Sequence, residues 1–197
     1  MNTKVKNTPA ETLIGQLISN DDSIEFFGIK RTQEVRFLRN GHVYKFDQLD
    51  PGHYTLLHNA YMKDKFARYF IRKQARDSIK KQVELYTYFT YGALDHTPDI
   101  IDNILQPAEN FRHQKECISL KFDNKKITID NKPITTRELQ IIDLVAQDYP
   151  DKLIADHLGI GIPTLNTHKA KLFKKINVQS KVGLIKKAMD ENIPLYE

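Results

Sequence analysis

The sequence predicts a mainly α protein, α+β overall. A small N-terminal α+β domain with a β-hairpin and two long helices precedes a C-terminal four-helix domain of helix-turn-helix form. Three observations carry this expectation. Asn40-Gly41 lies between two segments of alternating polarity. Two stretches of helical periodicity follow it. From residue 134 onward, short apolar-periodic segments are separated by tight connections, and the third segment is loaded with lysine. The expected division is 1–115 as a sensing or association module, 116–133 as a hairpin and linker, and 134–197 as the helix-turn-helix domain.

The chain has 197 residues, room for one domain or two small ones. A hydrophobic content of 40% supports a core, and the formal net charge of +5 suits an acidic partner. The single cysteine, Cys117, excludes an internal disulfide or a multi-cysteine zinc site. The first residues carry no apolar run of signal-peptide length, and no stretch reaches the ~18 apolar residues of a membrane span. A cytoplasmic protein with no membrane partner is expected.

Thr8-Pro9-Ala10-Glu11 has the form of a capping box, with a hydroxyl cap, proline at the first helical position and glutamate three residues after the cap. Leu13, Ile14, Leu17 and Ile18 continue it at helical spacing, up to Asn20-Asp21-Asp22-Ser23. Glu34–Arg39 and His42–Asp47 alternate around Asn40-Gly41, the strongest short-range hairpin signal, because a type I′ turn needs positive φ at both central residues. Val35 and Phe37 point one way. Asp50-Pro51-Gly52 reads as a closing turn.

One helix is expected from about Tyr54 to Phe70, with Leu56, Leu57, Ala60, Tyr61, Phe66 and Phe70 as buried candidates. A second is expected from about Gln74 to Tyr91, carrying Ile79, Val83, Tyr86 and Tyr88-Phe89-Thr90-Tyr91. From Lys63 to Lys81 there are eight Lys/Arg and two acids. Such a run is ordinarily a solvated helix face; an auxiliary phosphate contact or an acidic partner is the sharper reading. Residues 95–113 read as a loop with at most one short helix around Ile100–Leu105. Asp95, His96 and Asp99 fit no familiar metal-ligand spacing, and no metal or cofactor is expected. Ile118–Phe122 and Ile127–Asp130 alternate around Asp123–Lys126 and suggest a second hairpin.

In the last third, Thr135 and Glu138 form another capping box, and Leu139, Ile142, Val145 and Ala146 are the expected buried stripe. Tyr149-Pro150 stops that helix. Asp151 is the expected cap of a short second helix with Leu153, Ile154 and Leu158 inward, and Gly159-Ile160-Gly161 makes the turn. A third helix runs from about Ile162 to Ile176. Ser180 caps a fourth, with Val182, Ile185 and Met189 as its packing stripe. Two helices joined by a short glycine-containing turn make a helix-turn-helix, whose second helix can lie in a major groove.

At ~100° per residue, Leu165, Leu172 and Ile176 share one face of the third helix, with Phe173 at its edge. Pro163, Asn166, Thr167, Ala170, Lys171 and Lys174 lie opposite, and Lys169 and Lys175 on the flanks. The outward groups are amide, hydroxyl, methyl and ammonium, those that touch base edges and phosphates. From His157 to Met189 there are seven lysines and no acid. A segregated basic face is a stronger sign of nucleic acid than net charge.

The spacing Ile134-Thr135-x-Arg137-Glu138-x-Gln140-Ile141-Ile142, then Lys152-Leu153-Ile154-Ala155-x-x-Leu158-x-Ile160-Gly161-x-x-Thr164-Leu165-x-x-His168, then Lys175-Ile176-x-Val178-x-x-Lys181, resembles the LuxR/NarL-type helix-turn-helix over residues 134–192. The resemblance implies a four-helix domain whose third helix reads the major groove and whose fourth often dimerises. Carried over by position, it implies Asn166, Thr167 and Ala170 at base edges and Thr164, His168, Lys171, Lys174 and Lys175 nearer phosphate. Gly161 stands where the family often has serine, a tolerated cap. Ala170 stands where some members carry a basic residue, and it can offer only methyl contact. Partial core packing is the other reading of His168, which lies off the outward face.

The N-terminal part carries no recognised family pattern and is not receiver-like. A receiver needs parallel apolar strands alternating with helices, whereas residues 20–115 show a hairpin and then polar helices. With no phosphate loop or catalytic constellation, the chain is not expected to be an enzyme. The expectation is a sequence-specific transcriptional regulator acting on double-stranded DNA as a homodimer, with RNA polymerase as a further partner. The alternative is a protein-interaction module docking on the transcription machinery.

Overall fold

Asn40 and Gly41 take φ of 51° and 73°, the pair of positive values that a two-residue hairpin turn demands. They join β2 (Glu34–Arg39) to β3 (His42–Lys45). A strand the sequence did not announce, β1 (Glu25–Ile29), adds to the other side, giving an antiparallel order β1-β2-β3. This computed structural model describes residues 23–95 and 97–196, so the expected helix from Thr8 and the His96 side chain lie outside the described residues. Within it the chain forms two units, dividing between Glu109 and Asn110.

In the N-terminal unit, Val35 and Phe37 are buried together as expected. Three helices follow, not two: α1 (Pro51–Lys63), α2 (Lys65–Arg72) and α3 (Ile79–Thr90). The correction lies at Asp64. Its carboxylate accepts the Ala67 N–H at 2.7 Å and caps a new helix, so the backbone turns extended there. Asp50-Pro51-Gly52 is likewise no free-standing turn: Asp50 caps α1 and Pro51 begins it. Phe66, expected inside, is exposed, while Ala67 and Ile71 face inward.

Helix α3 is buried along most of its length and packs on the sheet. Tyr88 lies so near Gly28 that a Cβ there would come within 2.3 Å of the ring. The Val35 N–H donates to Glu84 at 3.1 Å, and the Tyr61 hydroxyl to Gln82 at 2.8 Å. Where a loop or short helix was expected, β4 (Ile100–Ile101) and β5 (Ile104–Leu105) form a minimal ribbon, turned by Asp102 and Asn103 at positive φ. Asp99 is buried beside β1 and accepts the Phe26 N–H at 2.7 Å.

In the C-terminal unit the hairpin expected around Asp123–Lys126 is absent from the described residues. Ile118–Lys121 is a 3-10 turn, and the pairing is instead β6 (Thr128–Ile129) with β7 (Lys132–Pro133). Asp130 and Asn131 supply the positive φ values of that turn. Ile127, Ile129 and Ile134 are buried in the helical core, so this stretch belongs to the core and does not act as a bare linker.

Four helices follow: α4 (Thr136–Ala146), α5 (Asp151–Leu158), α6 (Ile162–Lys175) and α7 (Lys181–Asp190). The Thr135/Glu138 capping box forms, and Ser180 caps α7 as expected. Pro150, not Asp151, occupies the cap position of α5. Two expected packing stripes need correction. Leu153 is 46% exposed, while Ile154 and Ala155 carry the α5 contact. On α7 the buried residues are Leu184 and Ala188; Val182 and Met189 are 79% and 61% exposed. The helix is rotated by about one residue, ~100°, from the expected stripe, because Ala188 packs where a larger side chain was sought.

Candidate nucleic-acid interface

The turn before α6 is built from local constraints. Gly159 ends α5 at φ 62°, a conformation open to glycine, and Gly161 starts α6 in extended geometry. Pro163 sits in the first turn, where its missing N–H costs nothing. At the far end Asn177 takes φ 56° and closes the helix. The Arg137 guanidinium donates to the Leu158 carbonyl at 3.3 Å, bracing α4 against the end of α5.

Leu165, Leu172 and Ile176 are fully buried and fix the rotation of α6 about its axis. That rotation leaves Pro163, Thr164, Asn166, Thr167, Ala170, Lys171 and Lys174 exposed along one side. His168, Lys169 and Lys175 are half-buried on the flanks. The Thr167 hydroxyl donates to the Pro163 carbonyl at 3.0 Å, which steadies its methyl and oxygen on the outward face. Seven of the eight candidate DNA-binding residues thus border one continuous face. The eighth, Lys175, is turned aside: its ammonium donates to Glu138 at 2.7 Å.

The flanking lysines are held by acids that sequence reading had not linked to them. Asp151, in the first turn of α5, accepts Lys169 at 2.8 and 2.9 Å and pairs with Lys181 at 2.9 Å. One carboxylate therefore joins α5, α6 and α7. Hydrogen bonds from Lys169 and Lys181 hold it below the usual carboxylate range. Burial pushes Glu138 upward, but hydrogen bonds from Lys175 and Thr135 outweigh it and leave it low. Lys187 pairs with Asp130 at 2.9 Å. The only legible trace of these contacts was Glu138 at the third position of a capping box.

The surface so framed is one rigid helix face with small polar groups at its centre and ammonium groups beside them. It can donate to phosphate oxygens and to base-edge acceptors, and it can accept from base amines through the Asn166 amide oxygen.

Similarity to known proteins centres on this unit, and one match reaches beyond it into the N-terminal unit. The family described as bacterial regulatory proteins, luxR family, matches residues 132–188. The oxygen regulatory protein NreC of Staphylococcus carnosus is 33% identical over 60 residues, 30% of this chain and 28% of that protein. The transcriptional regulatory protein MctR of Rhizobium johnstonii is 39% identical over 61 residues, 31% of this chain and 28% of that protein. NreC of Staphylococcus epidermidis is 34% identical over 109 residues, 55% of this chain and 45% of that protein. The chain therefore spans less than half the length of these relatives. No solved structure matches. Among the described residues no helix is long and apolar enough to cross a membrane. The match to residues 132–188 and the four-helix core with its glycine turn lead to one assignment: this segment is a LuxR-family helix-turn-helix domain.

Proposed function

We propose that the protein is a sequence-specific DNA-binding transcriptional regulator in which α6 lies in the major groove. The observation that carries this is the division of α6 into a buried Leu165/Leu172/Ile176 side and an exposed Asn166/Thr167/Ala170 side edged by Lys171 and Lys174. A protein-binding hot spot calls for large aromatic or arginine anchors, and this face has none. Asn166 and Thr167 are suited to base edges, Ala170 to a thymine methyl, and Thr164, His168, Lys171 and Lys174 to the flanking phosphates. The relatives whose names describe regulators support the regulatory role.

The reading extends to a homodimer on a two-fold related site. Val182 and Met189 project from α7 beside the half-buried Ile185, and with Val145 and Ala146 they line an open hollow of about 450 Å³. An apolar patch of this kind marks an association surface, and pairing it with its own copy would present two α6 helices to one duplex. Selection of bound sites from random duplex DNA with the purified protein tests both parts. A palindromic consensus is the expected result. No enriched sequence at low salt would overturn the reading.

A further inference from the structure

The N-terminal unit carries a second charged surface that the helix-turn-helix leaves unexplained. Along α1, α2, the turn after it and the start of α3, Lys63, Lys65, Arg72, Lys73, Arg76 and Lys80 are all exposed. Of the two acids in this stretch, Asp64 is buried as a helix cap and only Asp77 is exposed. Two aromatic rings stand among the cations: Phe66 is 54% and Tyr69 57% exposed. They lie three residues apart on α2, a rise of ~4.5 Å at 1.5 Å per residue and ~60° of rotation. Lys73 Nζ sits 4.0 Å from the centre of the Tyr69 ring and donates to its hydroxyl at 2.8 Å. Arg72, Lys73 and Arg76 also rim an open groove of about 650 Å³. The turn that displays them is fixed from within, where the Gln82 amide donates to the Ala75 carbonyl at 2.8 Å while accepting the Tyr61 hydroxyl.

We propose that the outward face of α2 and the turn after it bind single-stranded nucleic acid, with bases stacked on Phe66 and Tyr69 and phosphates held by Arg72, Lys73 and Arg76. Exposed rings interleaved with cations are what a single strand uses: any base has a face to stack, and the backbone follows the charge. Side chains three residues apart on a helix are neighbours, with Cβ atoms about 5–6 Å apart, so one strand can reach both rings. A duplex keeps its base faces closed and would leave both rings idle. An acidic protein fits less well, because four of the six exposed cations are lysines, which protein–protein interfaces avoid. A lipid surface is disfavoured because the aliphatic side of α2, Ala67 and Ile71, is buried in the fold. This surface is independent of the α6 face and of the reading given for it.

The test uses the full chain with Lys171→Ala and Lys174→Ala already in place, so that α6 contributes little charge. Fluorescence anisotropy measures binding of labelled oligothymidine of roughly 16 nucleotides, a random duplex of equal length and polyglutamate. Oligothymidine is expected to bind most tightly. Phe66→Ala and Tyr69→Ala should each weaken it about tenfold, while Tyr69→Phe, which keeps the ring, leaves it nearly unchanged. Arg72→Gln with Arg76→Gln should lower the salt slope by roughly 0.7 for each phosphate that is no longer neutralised. These side chains are exposed, and an unchanged circular dichroism spectrum confirms folding. Absence of oligothymidine binding at low salt would overturn the proposal. So would binding indifferent to both rings, tighter binding of duplex, or tighter binding of polyglutamate, the last pointing to an acidic protein partner.

Discussion

Arg112 donates to both carboxylate oxygens of Asp143, at 3.0 and 2.8 Å, with both side chains 1% exposed. The same guanidinium donates to the Pro194 carbonyl, and the Tyr196 hydroxyl donates back to the Arg112 carbonyl. This pair ties the segment entering the C-terminal unit to α4 and to the tail. Asp143→Ala strands a buried guanidinium and should destabilise the unit by about 3–5 kcal/mol. Replacing both residues by apolar ones of similar volume should cost far less. Urea unfolding of the three proteins checks the ordering.

Gly28 is required by a neighbour far along the chain. A methyl there would meet the Tyr88 ring at 2.3 Å, and Tyr88 is fully buried. Gly28→Ala should destabilise by about 1–3 kcal/mol through overpacking. Tyr88→Leu introduced with it should recover part of the loss, a coupling that a double-mutant cycle on unfolding free energies detects.

Asp99 gives the N-terminal unit a defined pH response. Burial, then the nearby Glu109 and Glu25 carboxylates, push its pKa well above the usual value. A carboxyl raised on folding contributes stability that is fully present below the unfolded pKa of ~3.9 and is lost as pH rises through the folded value. Asp99→Asn keeps an oxygen for the Phe26 N–H and removes the titration. It should therefore be more stable than the parent at neutral pH, with the advantage shrinking toward acid. Unfolding measured across that range would contradict this if the two curves ran parallel.

On the α6 face, substitutions should separate into two kinds. Lys171→Ala and Lys174→Ala should weaken binding to all duplexes alike and reduce the salt slope by about 0.9 each. Asn166→Ala should change preference at particular base pairs, by about 1–3 kcal/mol where the amide pairs. Titrations of specific and random duplexes at several salt concentrations distinguish them.

On α7, Val182→Glu with Met189→Glu should leave the monomer folded, since both side chains are largely exposed. If α7 forms the proposed dimer, sedimentation should show the parent as a dimer and this variant as a monomer, and affinity for a palindromic site should fall toward that for a half-site. A variant that stays dimeric would move the interface elsewhere, and a parent that sediments as a monomer would overturn the proposed dimer.

The C-terminal unit was legible because its signals are local. Thr135 and Glu138 cap within one turn, Gly159 needs only its own φ, and the α6 face follows from spacing along one helix. What was missed depends on distant or competing groups. β1 lacks alternation, and its Gly28 makes sense only beside Tyr88. The break at Asp64 was hidden because apolar spacing runs through it, while its carboxylate accepts the Ala67 N–H and caps the next helix. Ile118–Phe122 alternates like a strand yet has no strand partner among the described residues. The small Ala188 concealed the true inward side of α7.

The carboxylate of Asp151 has a consequence for selectivity. Of the seven lysines between His157 and Met189, four are matched to acids of the same unit: Lys169, Lys175, Lys181 and Lys187. Lys171, Lys174 and Lys186 remain as the outward cations. The domain is thus partly neutralised around its edges, four ammonium groups facing three carboxylates. A polyanion without the right bases meets a weaker field than the lysine inventory suggests, and must displace Asp151 or Glu138 to recruit more. Under the proposed function, indiscriminate attraction is thereby held down, and discrimination would fall to the uncharged side chains at the centre of the helix.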